Sequence, residues 1–504
     1  MSYILAYDLG TTGNKATIYR YDGALIASAF SAYETYHPKP NWVEQDPEQW
    51  WNSVKVTTHK LLDQAKIDKD EIKVISFSGQ MMGTIPINTN GDPLRKAIIW
   101  ADQRSTEQAS RLKKFGENEV YKLTGSRITP TYAGPKIAWI RDNEPEIYND
   151  TYKFLFAKDY IAFKFTGNVG TDYSDASLSS IFDIKNNEWS DDLMEILGID
   201  KEKIPDVFPS TSVVGTVLDS VASELGLSSN TLVIRGGGDG ACAALGAGVF
   251  DSSEAYLYLG SSSWISTCSK SPFFDEKART FNFSHPIPGF YCPTGTMQAG
   301  GASYQWIKDA ICSLETEKAK ELNLSVFAIL DDLIDGTVPG AKNLIFLPYL
   351  IGERSPHWNV NAKGAFIGLS IIHRKPDMLR AVLEGVAFNL RIILDILESA
   401  GNFERIRLIG GGAKGRNWKQ IIADIFNKVI VIPEFLEEAT SMGAAIIGGI
   451  GSKMFSLSEA RNFIKDVQFI EPRREYREKY ETLYVAFKKS YNSLIEVYDL
   501  LSTV

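Results

Sequence analysis

Asp8 leaves an apolar run, Tyr3 to Tyr7, and enters a turn of glycine and hydroxyl residues, Gly10, Thr11 and Thr12. A carboxylate at the end of an apolar strand is costly unless its charge is used. Backbone N–H groups and hydroxyls in such a turn suit phosphate oxygens, and a strand-end carboxylate suits a hydrated Mg2+. The other reading is an Asx-type brace, in which Asp8 holds its own turn. The pattern recurs at Gly260, Ser261 and Ser262, between the runs AYLYL and WISTC. Two such turns facing each other across two domains would hold a triphosphate. Lys15, just past the first turn, either adds positive charge for that phosphate or stands as a solvated strand lysine.

Gly236 to Ala241 reads GGGDGA. Three glycines let the backbone turn closely, and Asp239 then opens a helix of small residues. A carboxylate at a helix N-terminus is stabilised in its charged form, the state a general base needs. Its commonest alternative use is as an N-cap. GGGAKG at Gly410 to Gly415 lacks the GxGxxG spacing after a first βα unit, and no Ser or Thr follows its lysine. It reads as a turn against which a nucleotide's ribose or base lies, or as a tight strand–helix connection. Two stretches, Tyr36 to Trp51 and Ile99 to Arg104, mix tryptophans with acids and amides. Sugar sites use such mixtures, and so do ordinary cores. The histidines have no HExxH spacing, which argues against zinc, and no GxSxG elbow supports serine hydrolysis.

The elements that must carry these residues emerge from periodicity. Tyr3–Tyr7, KATIYRY and ALIASAF, with Asp22-Gly23 as a hairpin turn, predict a three-stranded antiparallel start. A helix is expected around Pro47 to Ala65, and a strand at Val74 to Gly79. Thr231 to Gly248 and Arg405 to Phe426 both read as strand, glycine turn, helix, so the two segments are expected to be counterparts. Apolar residues from Leu379 to Leu397 keep one face of a helix over Met378 to Ala400, with Gly401 as its C-cap. Two halves of similar logic, 1–248 and 249–504, account for the length better than three unrelated domains.

Apolar residues are 44% and charged residues 23% of the 504, the balance of a globular chain rather than of disorder, collagen or a coiled coil. The net charge, 53 − 62 = −9, gives no general electrostatic footprint for nucleic acid or an anionic membrane. The apolar stretches AFIGLSII and AAIIGGIG fall short of the roughly 20 residues a membrane span needs. Four cysteines without metal-ligand spacing, and an opening MSYILAYDLG without a signal-peptide pattern, set the expectation of a cytoplasmic protein.

Set in order, the segments YDLGTTGNK, NWVEQDPEQWW, SGQMMG, AIIWADQR, PKIAWIRDNEPEI, FAKDYI, TDYSDAS and GGGDGA resemble the FGGY carbohydrate kinases. FLPYLIGERSPHWNVNAKGAFIGL, RAVLEGVAFNL, IGGGAKGRNWKQIIADIF and SMGAAIIG continue the resemblance through the second half. It implies an α/β fold of two actin-like (ribonuclease H-like) domains with an interdomain cleft that holds Mg2+, ATP and sugar. The first half would carry the sugar side and the base, the second the nucleotide side. By the same resemblance Asp239 is the general base and Asp8 the carboxylate near Mg2+. Gly10, Thr11 and Thr12, then Gly260, Ser261 and Ser262, form the phosphate turns, with Lys15 beside them. Gly411, Gly412 and Ala413 would sit by the adenosine, and Gln80, Met81 and Met82 at the sugar. Trp100, Asp102, Tyr132 and Gly240 are expected neighbours there.

The resemblance leans toward the branch that phosphorylates xylulose, so D-xylulose leads as acceptor. That branch usually has His at Met82 and commonly Asn at Gly240, so ribulose, a ketohexose, gluconate or a polyol stay open. An actin-like ATPase without a sugar, and an idle sugar-binding regulator, are the alternatives outside the kinase class. The family also suggests a homodimer.

Overall fold

The computed structural model describes residues 1–503, folded around two seven-stranded sheets. The first contains β1 (Tyr3–Leu9), β2 (Gly13–Arg20), β3 (Leu25–Ala32), β4 (Ile72–Gly79), β5 (Val213–Thr216), β6 (Leu232–Ile234) and β7 (Gly237–Gly238). The second contains β8 (Ala255–Leu259), β9 (Ser263–Thr267), β10 (Phe281–Ser284), β11 (Tyr291–Met297), β12 (Arg405–Ile409), β13 (Val429–Pro433) and β14 (Asp466–Ile470).

The strand orders are β5-β6-β4-β1-β2-β3, with β7 beside β4, and β10-β11-β9-β8-β12-β13-β14. In each sheet an antiparallel hairpin, β1–β2 or β8–β9, is flanked by a parallel neighbour, β4 or β12. The parallel run continues to β6 or β13 and ends on an antiparallel edge, β5 or β14. This duplicated order agrees with the expected pair of actin-like, ribonuclease H-like domains. Central strands such as β1 are apolar almost throughout because both faces are covered.

The duplication corrects one expected pairing. Thr231 to Gly248 begins with β6, which corresponds in sheet position to β13, while β12, within Arg405 to Phe426, corresponds to β4. Both segments are strand–glycine–helix units, but they are successive units of the repeat and not counterparts. The long helix also differs from expectation at both ends. It runs over Lys375–Leu397, opened by a capping box at Arg374 and Asp377, and Gly401 does not cap it. Its last turn instead runs out through Ser399 and Ala400, whose N–H groups bond to Ile396 and Leu397.

The helices that place the site are α1 (Pro47–Ala65), α2 (Ala133–Asn143), α3 (Ala157–Thr166), α4 (Tyr173–Ser177), α5 (Asp239–Gly246), α6 (Gly301–Ile311) and α7 (Ala439–Gly451). Two of them are exchanged between the halves. Met442, Ala445, Ile446 and Ile447 of α7 pack beneath the first sheet with Ile4, Ala6, Val74 and Ile234. Ala241, Ala243 and Ala244 of α5 pack against Tyr256, Cys292 and Ile409 of the second. Where α5 and α7 cross, their backbones touch. A side-chain carbon built on Gly246 would lie 1.8 Å from the Ala439 carbonyl oxygen, and one on Gly443 would lie 1.9 Å from that of Cys242. Small residues are required here because any side chain at the crossing, where the start of α7 lies against the end of α5, would force the two backbones apart. Among the described residues no helix is long and apolar enough to cross a membrane.

Gly443→Ala is therefore expected to force the two helices apart and to lower stability by about 1–3 kcal/mol, the usual range for overpacking. The thermal unfolding midpoint measures this, and an unchanged midpoint would mean that the crossing yields freely.

Candidate active site

Asp239 is the first residue of α5, and the cap position before it is Gly238. The N-cap alternative is thus not realised. Among the described residues one hydrogen bond reaches the carboxylate, from the Gly240 N–H, 2.7 Å from Oδ1. Gly240 is in turn braced from the second half, where Trp264 Nε1 donates to Tyr256 Oη at 2.8 Å and Tyr256 Oη donates to the Gly240 carbonyl at 3.1 Å. Burial first, and then the charge of Asp8, push the Asp239 carboxyl up to about 7. A carboxyl so poised takes up and releases protons near neutrality, which is what a general base must do.

Asp8 lies at the end of β1, with Ser78 of β4 donating to Oδ1 at 2.8 Å. From the second half, Thr440 in the first turn of α7 donates to Oδ2 at 2.5 Å. Burial raises this carboxyl above the usual range, against the two hydroxyls and Lys15, which pull it down. The α7 N-terminus adds the positive end of a helix dipole at the same place. Lys15 is not a free solvated lysine. Its Nζ donates to the Glu437 carbonyl at 2.9 Å and lies 3.6 Å from the Glu438 carboxylate.

The two hydroxyl turns adjoin these carboxylates. In the first, Tyr33 donates to the Gly10 carbonyl, Gln45 donates to the Thr11 carbonyl at 2.7 Å, and Thr12 is exposed. Thr11 Oγ1 accepts from Trp100 Nε1 at 2.9 Å, which ties the AIIWADQR segment to this turn. In the second, the carbonyls of Gly260 and Ser261 accept from the N–H groups of Gly301 and Ala302, opening α6, and Ser261 stays exposed. Tyr258, stacked on Trp264 with centroids 4.0 Å apart, lies close enough for both Asp239 and Asp8 to raise its hydroxyl, after burial.

The third glycine segment lies beside the second turn. A side-chain carbon on Gly412 would meet the Leu259 side chain at 2.5 Å, whereas Gly411 faces open space. Ala413 differs from expectation. It is fully buried in the second-half core with Leu257 and Leu408, so it supports this surface from beneath.

In the segment expected to meet the sugar, Gln80 donates to Gln45 Oε1 at 2.7 Å, while its own buried Oε1 has no partner among the described residues. Met81 packs on the turn that carries Asp239. A side-chain carbon on Gly240 would sit 3.8 Å from the Met81 sulfur and 3.4 Å from Phe283 of β10. Met82 is half-buried with φ of 66°, in the left-handed region that β-carbon-bearing residues seldom occupy. Its carbonyl is one of three, with Ile99 and Thr131, that accept from the buried Lys136 Nζ. Burial pulls that lysine down to about 7. Tyr132, at the cap position of α2, is buried beside this group.

Asp102 does other work. It is fully buried, accepts from the Val43 N–H at 2.6 Å, and pairs with Arg104 at 2.7 Å. Arg104 in turn lies 3.8 Å over the Trp42 ring. Trp50 and Trp51 are core. The aromatic stretches are thus mainly packing; Tyr36, Trp42 and Trp100 are half-buried, and Trp100 reaches the Thr11 hydroxyl.

Among the described residues no cluster of three or more His, Cys, Asp or Glu side chains is placed to hold a metal by itself. Asp8 has the Ser78 and Thr440 hydroxyls on its two oxygens, with the Asp239 carboxylate and the Lys15 ammonium near. That set fits Mg2+, which keeps most of its waters and takes one or two carboxylates plus phosphate oxygens.

Sequence reasoning missed Ser78 and Thr440 on Asp8, the Trp264–Tyr256 brace and Lys136. Only the small-residue motif SMGAA, just after Thr440, signalled that a helix end was wanted there.

The chain matches the family models for the N-terminal domain of the FGGY family of carbohydrate kinases over residues 3–246 and for its C-terminal domain over 255–452. It is 35% identical to the xylulose kinase of Staphylococcus epidermidis, over 99% of both chains. It is 32% identical to the gluconokinase of Bacillus subtilis, covering 96% of this chain and 95% of that one. The fold is similar to a ligand-bound xylulose kinase from Lactobacillus acidophilus, with a TM-score of 0.91 and 29% identity over 99% of this chain and 100% of that one.

In the free protein, difference titration of the wild-type chain against Asp239→Asn is expected to show one carboxyl titrating near pH 7. Asp8→Asn removes a negative neighbour that disfavours the anion, so it is expected to move that midpoint down. An ordinary midpoint near 4, or an upward move in the Asp8 variant, contradicts this electrostatic account.

Proposed function

Because the chain belongs to the FGGY family of carbohydrate kinases, we propose that it transfers the γ-phosphoryl group of ATP to a terminal hydroxyl of D-xylulose, giving D-xylulose 5-phosphate and ADP. It is a phosphotransferase acting on a sugar. The acceptor and the role of each residue are our reading. The observation that carries it is Asp239, a half-buried carboxylate with a single hydrogen bond, at a helix start where both halves meet.

Phosphoryl transfer asks a protein mainly for alignment and charge neutralisation. Asp239 accepts the proton of the sugar hydroxyl as that oxygen bonds to the γ-phosphorus and the bond to the ADP oxygen breaks. Thr11 and Thr12 on one side, and Ser261 and Ser262 on the other, donate to phosphate oxygens from turns that the Gly10 and Gly260 N–H groups close onto the Gly13 and Ser262 carbonyls. Lys15 adds charge near the first turn. Gly411, which faces open space, leaves room for the adenosine to approach the backbone, and Gly412 lets the same turn pack on Leu259. Gln80, with its unpartnered Oε1, accepts from a sugar hydroxyl, while Met81, Met82, Trp100 and Tyr132 shape the sugar side with Gly240. Mg2+, held by Asp8 largely through water, would neutralise the charge that builds on the phosphates. Approach of the two halves excludes water as a competing acceptor. Four free, buried cysteines support a place in the cytoplasm.

Asp239→Asn is expected to leave the KM for ATP near the wild-type value and to lower kcat by roughly 10²–10⁴-fold. Retention of more than about a tenth of the wild-type kcat overturns the assignment of the base.

Gluconate is the second reading. It is favoured by the gluconokinase relative and by Met82 and Gly240, where a ketopentose site would be expected to carry an imidazole and an amide. An ADP-release assay at saturating Mg2+ and ATP, over xylulose, ribulose, ketohexoses, polyols and gluconate, decides between them. The highest kcat/KM is expected for D-xylulose, and a tenfold preference for gluconate would replace it. ADP release indifferent to every sugar would point to an ATPase.

A further inference from the structure

Behind the Asp239 turn lies a group of charges that the phosphoryl-transfer chemistry does not use. Lys158, in the first turn of α3, is fully buried. Its Nζ lies 2.6 Å from Asp159, 2.9 Å from Asp172 and 3.1 Å from Asp175, all three themselves buried. Burying four ionisable groups is costly unless the geometry fixes something. One branch of the group runs outward. Asp172 caps α4 and accepts from two hydroxyls, Ser174 Oγ at 2.5 Å and Ser210 Oγ at 2.6 Å. Burial pushes Asp172 up, yet Lys158 and these hydroxyls hold it below the usual range, so it stays a strong acceptor.

A serine hydroxyl has one proton, and Asp172 takes the one on Ser174. The lone pairs that remain face the Gly238 N–H, which donates to Ser174 Oγ at 2.8 Å. Gly238 is the residue before Asp239, and it reaches β4 only through the two-residue pairing of Gly237–Gly238 with Ser78 and Gly79. The same short helix also holds the second half. Ser177 Oγ accepts from the Ser284 N–H at 3.2 Å, at the end of the strand whose Phe283 lies against Gly240.

We infer that Ser174, oriented by Asp172 and Lys158, is a positioning residue for the reaction: its hydroxyl fixes the backbone at Gly238 and thereby the direction in which Asp239 meets the sugar hydroxyl. The inference rests on Asp239 being the base. It predicts a loss in kcat rather than in nucleotide binding, since a misplaced catalytic group slows the step without removing a contact to ATP.

The test is a double-mutant cycle of Ser174→Ala and Asp239→Asn, with kcat and KM measured on whichever sugar gives the highest kcat/KM in the ADP-release assay. Ser174→Ala alone is expected to lower kcat about ten- to a hundredfold with the KM for ATP within twofold. In the Asp239→Asn background it is expected to cost almost nothing more, because a group that acts only through Asp239 has nothing left to position. Ser174→Thr, which keeps the hydroxyl, is expected to recover most of the loss and guards against a variant that merely folds poorly. Equal losses in both backgrounds, an unchanged kcat for Ser174→Ala, or a threonine variant as slow as alanine would overturn the proposal. If Asp239→Asn were itself fully active, the base assignment would fall, and this proposal with it. A slow Asp239→Asn beside a normal Ser174→Ala would sink the positioning role alone.

Discussion

Two carboxylates that repel each other, Asp8 and Asp239, are held at the junction of two sheets where neither is well hydrated. Most of the local architecture can be read as the means of tolerating that. Both stand at helix starts, Asp239 on its own helix and Asp8 against the first turn of α7. Hydroxyls from Ser78 and Thr440 occupy both Asp8 oxygens, and Lys15 is near. Asp239 receives far less support, and that asymmetry underlies the separate roles proposed for the two. The better-bonded carboxylate suits an ion and its waters, and the poorly bonded one suits a proton.

The duplicated fold supplies this geometry through exchange. Each half lends a helix to the face of the other's sheet, so α5 and α7 cross at the junction. Glycines at the crossing bring the two backbones into contact. Asp8 is consequently read by a hydroxyl from the second half, and the Asp239 turn by Tyr256 and Trp264 of that half. Neither sheet alone presents a complete site. Contacts from the second half therefore help to place both acids.

The sequence disclosed the hairpins, the hydroxyl turns and the glycine triplet before Asp239, because turn chemistry is local and leaves residue-type signatures. It misjudged which strand–glycine–helix units correspond, since that depends on sheet position, and no local pattern encodes it. It placed Asp102 at the sugar, where long-range partners, Arg104 and the Val43 N–H, instead bury it. Ala413 turns its small side chain into the core, and that too depends on distant partners. Thr440 on Asp8 was invisible because those residues are separated by most of the chain and meet only through the helix exchange. The buried Lys158 group was hidden too. TDYSDAS and FAKDYI show acids and a lysine, and nothing in their spacing says that they converge behind one turn.

In the proposed reaction the Asp239 carboxylate stands between the helix start and an incoming hydroxyl, with the γ-phosphate beyond it. A crystal structure of the chain with its preferred sugar and a non-hydrolysable ATP analogue tests this most directly. It should place an Asp239 oxygen within about 3.2 Å of the accepting hydroxyl, and that hydroxyl in line with the terminal phosphorus. A sugar bound with Asp239 out of hydrogen-bond reach, and another group at the accepting oxygen, would contradict it.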